Sequence, residues 1–456
     1  MKAILPVFDE SRKRPYYLQL YDYIRESIIT GEMSEGEKLP SLRSLSKSTH
    51  LSITTIEQAY NQLLVEGYIR SKAQSGYYVS KVAASGRSRN ETVPPKHDDD
   101  EGADSLPMQY DPECFDFNKW KKCMNRVLTD YSPSLHFEGN PLGETALRRE
   151  IARYLYVSRG VSCDPSQIII AAGTQQITNH LATILRRLYI DNVALENPGY
   201  APVRSIFRDR GFAITSVDVA ADGLILEKLP ANIRSAVYVS PSNHAFTGAV
   251  MPVGRRYELL EWARANDSYI IEDDYDSELR YFGRPIPALK SLDTDERVVY
   301  LGSFSSTLFA AVKISYMVLP QAMADIFTSI SGDYSQTCSK LEQLTLAMFM
   351  SEGKYQTHIR KLRKLYSQKL TRATELLRRE ASDFIHVTNT SSGISLILNF
   401  DSPKHALQLK KEADSVGVPS AVLSPGENSL ILYYSNIPLD SIDDLLTELV
   451  SLWREG

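Results

Sequence analysis

LGETALRREIARYLYVSRGVSCDPSQIIIAAGTQQ, residues 142–176, decides the fold of most of this 456-residue chain. An amphipathic helical pattern fills its first half. IIIAA at 168–172 is then an unbroken apolar run of strand length, and Gly173-Thr174 is a turn that opens a second helix. A strand that runs through a glycine turn into a helix N-terminus makes a ready cradle for an anion. Alone, AAGTQQ is a weak sign, because many strand-to-helix turns read the same way.

The same pattern recurs downstream. NVALENPGY (192–200), VYVSPSNHAFTGAVMP (237–252), YIIEDDYDSELRYFGRPIPAL (269–289) and VVYLGSFSSTLFAAVKISYMVLP (298–320) each begin as an apolar strand and end in polar or small residues. Strands alternating with helical patterns from about residue 107 to 456 predict an α/β domain. Polar residues gathered just past the strand ends mark the ligand side of an open sheet.

Upstream the composition changes. Residues 82–106, with adjacent prolines and an acidic run, show no apolar periodicity and read as a flexible linker. Before them, residues 10–81 form a small module. YLQLYDYIRESIIT (17–30) sets Leu20, Tyr23, Ile24, Ser27 and Ile28 on one helical face, with Gly31 past its end. Ser41 caps a second short helix that turns Leu42 and Leu45 inward. Ser52 caps a third, whose inward residues are Ile56, Ala59, Tyr60, Leu63 and Leu64, and Gly67 stops it. GYIRSKAQSGYYVS (67–80) reads as a hairpin with Ile69, Tyr77 and Val79 in its strands and Gln74, Ser75 and Gly76 at its turn.

Three short helices and a hairpin make a winged helix-turn-helix, a shape that places one helix in the DNA major groove. The residues expected at duplex DNA are Ser52, Thr54 and Thr55 with Ile53 at the head of the third helix, Ser41 and Arg43 on the second, and Gln74, Ser75 and Gly76 at the wing tip. Hydroxyls and helix N-terminal N–H groups suit phosphate oxygens. A small helical protein-interaction module is the blander alternative.

KLPSLRSL (38–45), residues 52–60 and EGYIRSKAQSGYYVS (66–80) together resemble the GntR family of bacterial regulators. The order and spacing of the downstream segments resemble the fold type I aminotransferases. The whole chain is similar to the MocR (GabR-like) subfamily, which fuses the two. That resemblance implies a mixed, mostly parallel sheet with helices on both faces and a smaller C-terminal α+β subdomain. It places Thr174 and Gln175 at the phosphate of pyridoxal phosphate, Tyr200 on its ring, Asn243 and Tyr275 at the ring hydroxyl and Asp273 at the pyridine nitrogen. Ser303 and Ser305 would help hold the phosphate. A carboxylate at the pyridine nitrogen keeps the electron sink charged.

The chain departs from the family at telling positions. Ser306 stands where the family carries the Schiff-base lysine, and a serine hydroxyl cannot form an imine. Lys313 replaces an arginine directed at the phosphate, and Ile431 replaces an arginine that grips a ligand carboxylate. PSNHAF (241–246) also differs from the usual family wording. Ile53 stands where an arginine commonly follows the cap serine, so base readout there is altered or lost. No covalent cofactor and no catalytic residue are expected. The groups that remain suit reversible binding of pyridoxal phosphate or another anionic small molecule.

Three readings follow. One is a DNA-binding regulator whose large domain is a non-catalytic sensor and dimerisation unit. Another is a working aminotransferase with an accessory DNA reader. The third is a scaffold that only dimerises. Ser306 weighs against the second, and an acid at a strand end beside a tyrosine, Asp273 and Tyr275, weighs against the third.

Composition leaves these readings standing. Hydrophobic residues at 43% and charged residues at 23% exclude a fibrous or largely disordered chain. A net charge of −5 conceals a mild asymmetry, with 11 Lys+Arg against 9 Asp+Glu in residues 1–85. The four cysteines, Cys114, Cys123, Cys163 and Cys338, lack CxxC spacing and read as free thiols, not metal ligands. Neither a signal-peptide core nor an 18-residue apolar window occurs, so a soluble cytoplasmic homodimer, not a membrane protein, is expected.

Overall fold

The computed structural model describes residues 15–72, 75–81, 114–274, 276–281, 286–390, 392–423 and 428–455. The expected linker, Gln74 and Tyr275 lie outside the described residues. The chain divides into two compact units, Met1–Ala103 and Asp104–Gly456.

The small unit contains α1 (Tyr16–Ile29), α2 (Leu42–Thr49), α3 (Ile53–Val65) and the antiparallel hairpin β1 (Ile69–Lys72) and β2 (Gly76–Val79). Its core joins Leu20, Ile24 and Ile28 of α1 to Leu45 of α2 and to Ile56, Ala59, Tyr60 and Leu63 of α3. The face of α1 is rotated slightly from the expected one: Tyr21 is buried and Tyr23 only half-buried. Tyr21 is drawn in because its hydroxyl donates to Glu66 at the end of α3. Leu42 and Leu64 likewise pack at the margin of this core.

The large unit begins with α4 (Phe117–Asp130) and α5 (Thr145–Arg159). Then follow β3 (Ile168–Ala172), α6 (Gly173–Arg187), β4 (Asn192–Asn197), α7 (Ala201–Asp209), β5 (Ala213–Ala220), β6 (Gly223–Leu224), β7 (Ser235–Val239) and α8 (Val253–Ala265). β8 (Tyr269–Asp273), β9 (Val298–Ser303), β10 (Ile314–Val318), α9 (Gln321–Ile330), α10 (Lys340–Ser351) and the long α11 (Lys354–Ala381) come next. Eight strands form one sheet in the order β3-β10-β9-β8-β7-β4-β5-β6, in which β10 and β6 run antiparallel to their neighbours.

The apolar runs are continuous because both faces of this sheet are covered. Successive side chains on a strand point to opposite faces. Thus Ile169 and Ala171 of β3 pack with α6, α7 and α9, while Ile168 and Ile170 pack with α4, α5 and α10. The chain closes with β11 (Ile385–Thr388), β12 (Leu396–Phe400), α12 (Ala406–Ser415), β13 (Ser420–Val422), β14 (Ser429–Leu432) and α13 (Ile442–Arg454). These four strands form a separate antiparallel sheet in the order β11-β12-β14-β13, backed by α11, α12 and α13. It is the expected C-terminal α+β subdomain.

Candidate functional site

In the small unit, both cap serines do what their positions require. Ser41 Oγ accepts from Ser44 N at 3.2 Å, and Ser52 Oγ accepts from Thr55 N at 3.1 Å. Ser52 Oγ and Thr55 Oγ1 also share a 2.8 Å hydrogen bond. Each cap satisfies one otherwise orphaned donor. Arg43, in the first turn of α2, is exposed, as are Ile53 and Thr54 in the first turn of α3. Ser75 Oγ bonds Tyr78 Oη at 2.6 Å, and the ladder pairs Lys72 with Gly76 across the hairpin end. Exposed Lys38 lies over the Tyr78 ring at 5.9 Å from its centroid. Lys38 and Lys72 thus add two cations to this hairpin; Lys72 was legible as a basic residue of the wing, whereas Lys38, which precedes α2, reaches it only through its bridge to Tyr78.

In the large unit, a cleft of about 700 Å³ opens where β3, β4, β7, β8 and β9 end. β4 runs on to β5 on one side, whereas β7 pairs with its other side, so the strand order reverses beside β4. Such a switch point leaves a crevice at the carboxyl ends of the strands. Thr174, Gln175, Tyr200, Asp273, Ser303, Ser305, Ser306 and Lys313 all line it. The α6 N-terminus forms one wall, with Gly173 at φ +82° making the turn and no side chain capping the helix. That end carries partial positive charge. Ser303, at the end of β9, accepts from Ser305 N at 3.3 Å and from Ser315 Oγ at 3.0 Å. Lys313 sits in a left-handed conformation just before β10.

At the end of β8, Asp273 Oδ2 accepts a 2.5 Å hydrogen bond from the Tyr238 hydroxyl. Burial pushes the Asp273 carboxyl up to about 6, against the lowering effect of that bond. Glu196, at the end of β4, also lines the cleft and accepts from Ser240 N at 3.0 Å. Burial raises its carboxyl to about 8, so it is largely protonated at neutral pH. His244 Nε2 lies 3.1 Å from the Pro198 carbonyl and Nδ1 lies 2.8 Å from Thr247 Oγ1. A carbonyl only accepts, so these partners assign the proton to Nε2. Burial lowers the imidazole to about 4 and keeps it neutral. Gly199 follows so closely on Glu196 that a Cβ there would collide with the Glu196 carbonyl oxygen.

Asn243 requires a correction. It is buried, but its Oδ1 accepts from Ser392 Oγ at 3.3 Å and it is not among the cleft-lining residues. The loop after β7 turns the next residue, His244, to the cleft instead, because His244 N donates to Ala249 O and closes a tight turn. Sequence reasoning missed His244 and Glu196. ENPGY and PSNHAF contain both residues, but Asn243 and His244 are equally buried, and the backbone turn decides which of them faces the cleft. Ile431 and Tyr433 complete the cleft from the C-terminal sheet.

Beneath the cleft, Arg159 holds the strand-end loops together. Its Nε and Nη2 each reach an Asp274 oxygen at 2.7 Å, Nη2 reaches Ser242 Oγ at 2.9 Å, and Nη1 donates to the Ile286 carbonyl. Burial opposes the Arg159 charge, but Asp274 more than restores it, and the guanidinium pKa is raised.

Comparison with known proteins matches residues 16–79 to the bacterial regulatory proteins of the gntR family and residues 109–418 to aminotransferase class I and II. The HTH-type transcriptional regulator YdeL of Bacillus subtilis is 36% identical over 99% of this chain and 99% of its own. "Probable rhizopine catabolism regulatory protein MocR" of Rhizobium meliloti is 30% identical over 94% of this chain and 92% of its own. The chain belongs to the MocR subfamily of GntR regulators. The HTH-type pyridoxine biosynthesis transcriptional regulator PdxR of Corynebacterium glutamicum is 32% identical over 76% of each chain. Among solved structures, Pyrococcus horikoshii kynurenine aminotransferase superposes with a TM-score of 0.65, covering 76% of this chain and 89% of its own at 23% identity. At that identity the likeness is one of fold. This MocR-type chain is thus an HTH-type transcriptional regulator with an aminotransferase-like domain. No helix among the described residues is long and apolar enough to cross a membrane.

Proposed function

We propose that this regulator reads operator DNA through its small unit, senses a phosphate-bearing small molecule held without a covalent bond in the cleft, and pairs two copies through its large unit. One observation carries the sensor reading: Ser306, not lysine, lines a cleft that still presents both an anion cradle and a carboxylate. Transaminase chemistry needs a lysine both as covalent anchor and as proton carrier. Without it, what the cleft retains is binding chemistry.

The residues fit pyridoxal phosphate. The α6 N-terminus at Thr174 and Gln175, the hydroxyls of Ser303 and Ser305 and the Lys313 ammonium would hold its phosphate. Asp273 would pair with the ring nitrogen, and Tyr200, about half exposed at the cleft, would cover the ring. When bound, pyridoxal phosphate supplies an electron-withdrawing ring and an aldehyde. The neutral Glu196 and His244 leave Asp273 as the residue whose charge decides how well a cationic ring is held. Relatives named as HTH-type transcriptional regulators, one of them for pyridoxine biosynthesis, favour a regulator over a working aminotransferase.

The test titrates full-length protein with pyridoxal phosphate and follows it with borohydride and mass analysis. Saturable binding with no retained mass is expected; a borohydride-trapped adduct on Lys313 overturns the non-covalent reading. Gel-shift assays against operator DNA test the other arm. Affinity should fall steeply with salt, because phosphate contacts release counterions, and Arg43→Ala should weaken it. A monomer in sedimentation of the full chain at micromolar concentration would remove the pairing.

A further inference from the structure

The head of α3 carries an apolar side chain that its own fold does not use. Ile53 is 46% exposed in the first turn of α3 and takes no part in the small unit's core, which draws on Ile56, Ala59, Tyr60 and Leu63 of the same helix. The neighbouring Ser52 and Thr55 hydroxyls are engaged with each other through the cap, so Ile53 and Thr54 are the side chains that project there. One turn further on, Glu57 is also exposed. An isoleucine and a glutamate four residues apart share one helix face. That face is unsuited to phosphate oxygens, one residue being apolar and the other an anion.

We infer that Ile53 is a base-reading residue that contacts the C5-methyl group of a thymine in the major groove of the operator. The inference rests on the DNA-reading role proposed for the small unit. A thymine methyl is the one apolar feature that base edges present in the major groove, and apolar side chains select it. Glu57 on the same face suits a base edge too, since a carboxylate accepts from the cytosine amino group. Phosphate contacts are left to the cations elsewhere on the unit, Arg43 on α2 and Lys38 and Lys72 at the hairpin, all exposed. A helix head that reads by a methyl contact discriminates thymine from cytosine and from uracil, which lacks only that methyl.

Full-length protein is used to select duplexes from a randomised pool, and the recovered site is resynthesised with deoxyuridine replacing thymine at one position at a time. Losing one methyl contact should weaken wild-type binding about fourfold at one position of each half-site. Ile53→Ser should bind thymine and uracil duplexes there equally, and Ile53→Val, which keeps a branched apolar side chain, should retain most of the preference. Thermal unfolding of Ile53→Ser should match wild type, because the side chain is outside the core. Indifference of wild type to every thymine-to-uracil exchange overturns the inference, as does an Ile53→Ser protein that keeps the preference. Enrichment of specific duplexes in those cases leaves the DNA-reading role intact, whereas no enrichment even at low salt removes that role and the inference with it.

Discussion

Arg159→Met tests whether the strand-end loops are held by one buried cation. The side chain is 3% exposed, and its Asp274 partner is 4% exposed. The substitution keeps most of the volume but removes two charge-assisted bonds to Asp274, one to Ser242 and one to the Ile286 carbonyl. Removing one partner of a buried pair costs about 3–5 kcal/mol, because the other charge stays buried. Ser277 and Tyr300 hydroxyls still donate to Asp274, which argues for the lower end, about 3 kcal/mol. The chain's tryptophans, Trp120, Trp262 and Trp453, all lie in the large unit, so their fluorescence during urea unfolding reports that unit alone. Arg159→Met combined with Asp274→Asn should recover part of the loss, since the stranded charge is gone. Pyridoxal phosphate should also bind the single variant more weakly, as Asp273 adjoins Asp274. A loss below about 1 kcal/mol, or a double variant no more stable than the single one, would refute the reasoning.

Asp273→Asn should weaken pyridoxal phosphate binding by about tenfold or more, the value of a hydrogen bond to a charged group. Wild-type affinity should fall as pH drops through about 6, where Asp273 gains a proton, and a pH-independent affinity in a titration series would count against that assignment. For Glu196 the folded carboxyl titrates at about 8, above its ordinary 4.5. Its contribution to stability is therefore full below about 4.5 and lost as pH rises through 8. The stability of Glu196→Gln relative to wild type should climb by up to about 1.4 kcal/mol per pH unit between pH 5 and 8; urea midpoints whose difference is flat with pH would exclude it. Ser306→Lys should restore a lysine at the imine position and yield pyridoxal phosphate retained after borohydride. A variant that folds and binds but traps nothing would show that residue 306 is out of reach of the ring aldehyde.

Much of this regulator was legible in order along the chain. Continuous runs such as Ile168–Ala172 are strands buried on both faces, and short-range chemistry made Ser41 and Ser52 caps before any tertiary contact was known. Polar residues past the strand ends marked the ligand side of the sheet, and the resemblance to the aminotransferases singled out Thr174, Asp273, Ser303 and Lys313 there; strand-end residues of an open sheet converge on one crevice. Ser306 could be judged without any coordinates, since the presence or absence of an amine is a property of the residue itself. What the sequence could not decide was which of two adjacent polar residues turns inward. Asn243 and His244 are neighbours of similar polarity, and the turn that His244 N closes with Ala249 O leaves one bonded to Ser392 and puts the other on the cleft. Nor could composition show that Glu196 is largely neutral, because its pKa is set by the protein packed around it. Periodicity likewise favoured Tyr23, whereas a partner 45 residues away, Glu66, selects Tyr21. Local chemistry and pattern are written in consecutive residues; orientation and ionisation depend on groups that only the fold brings near.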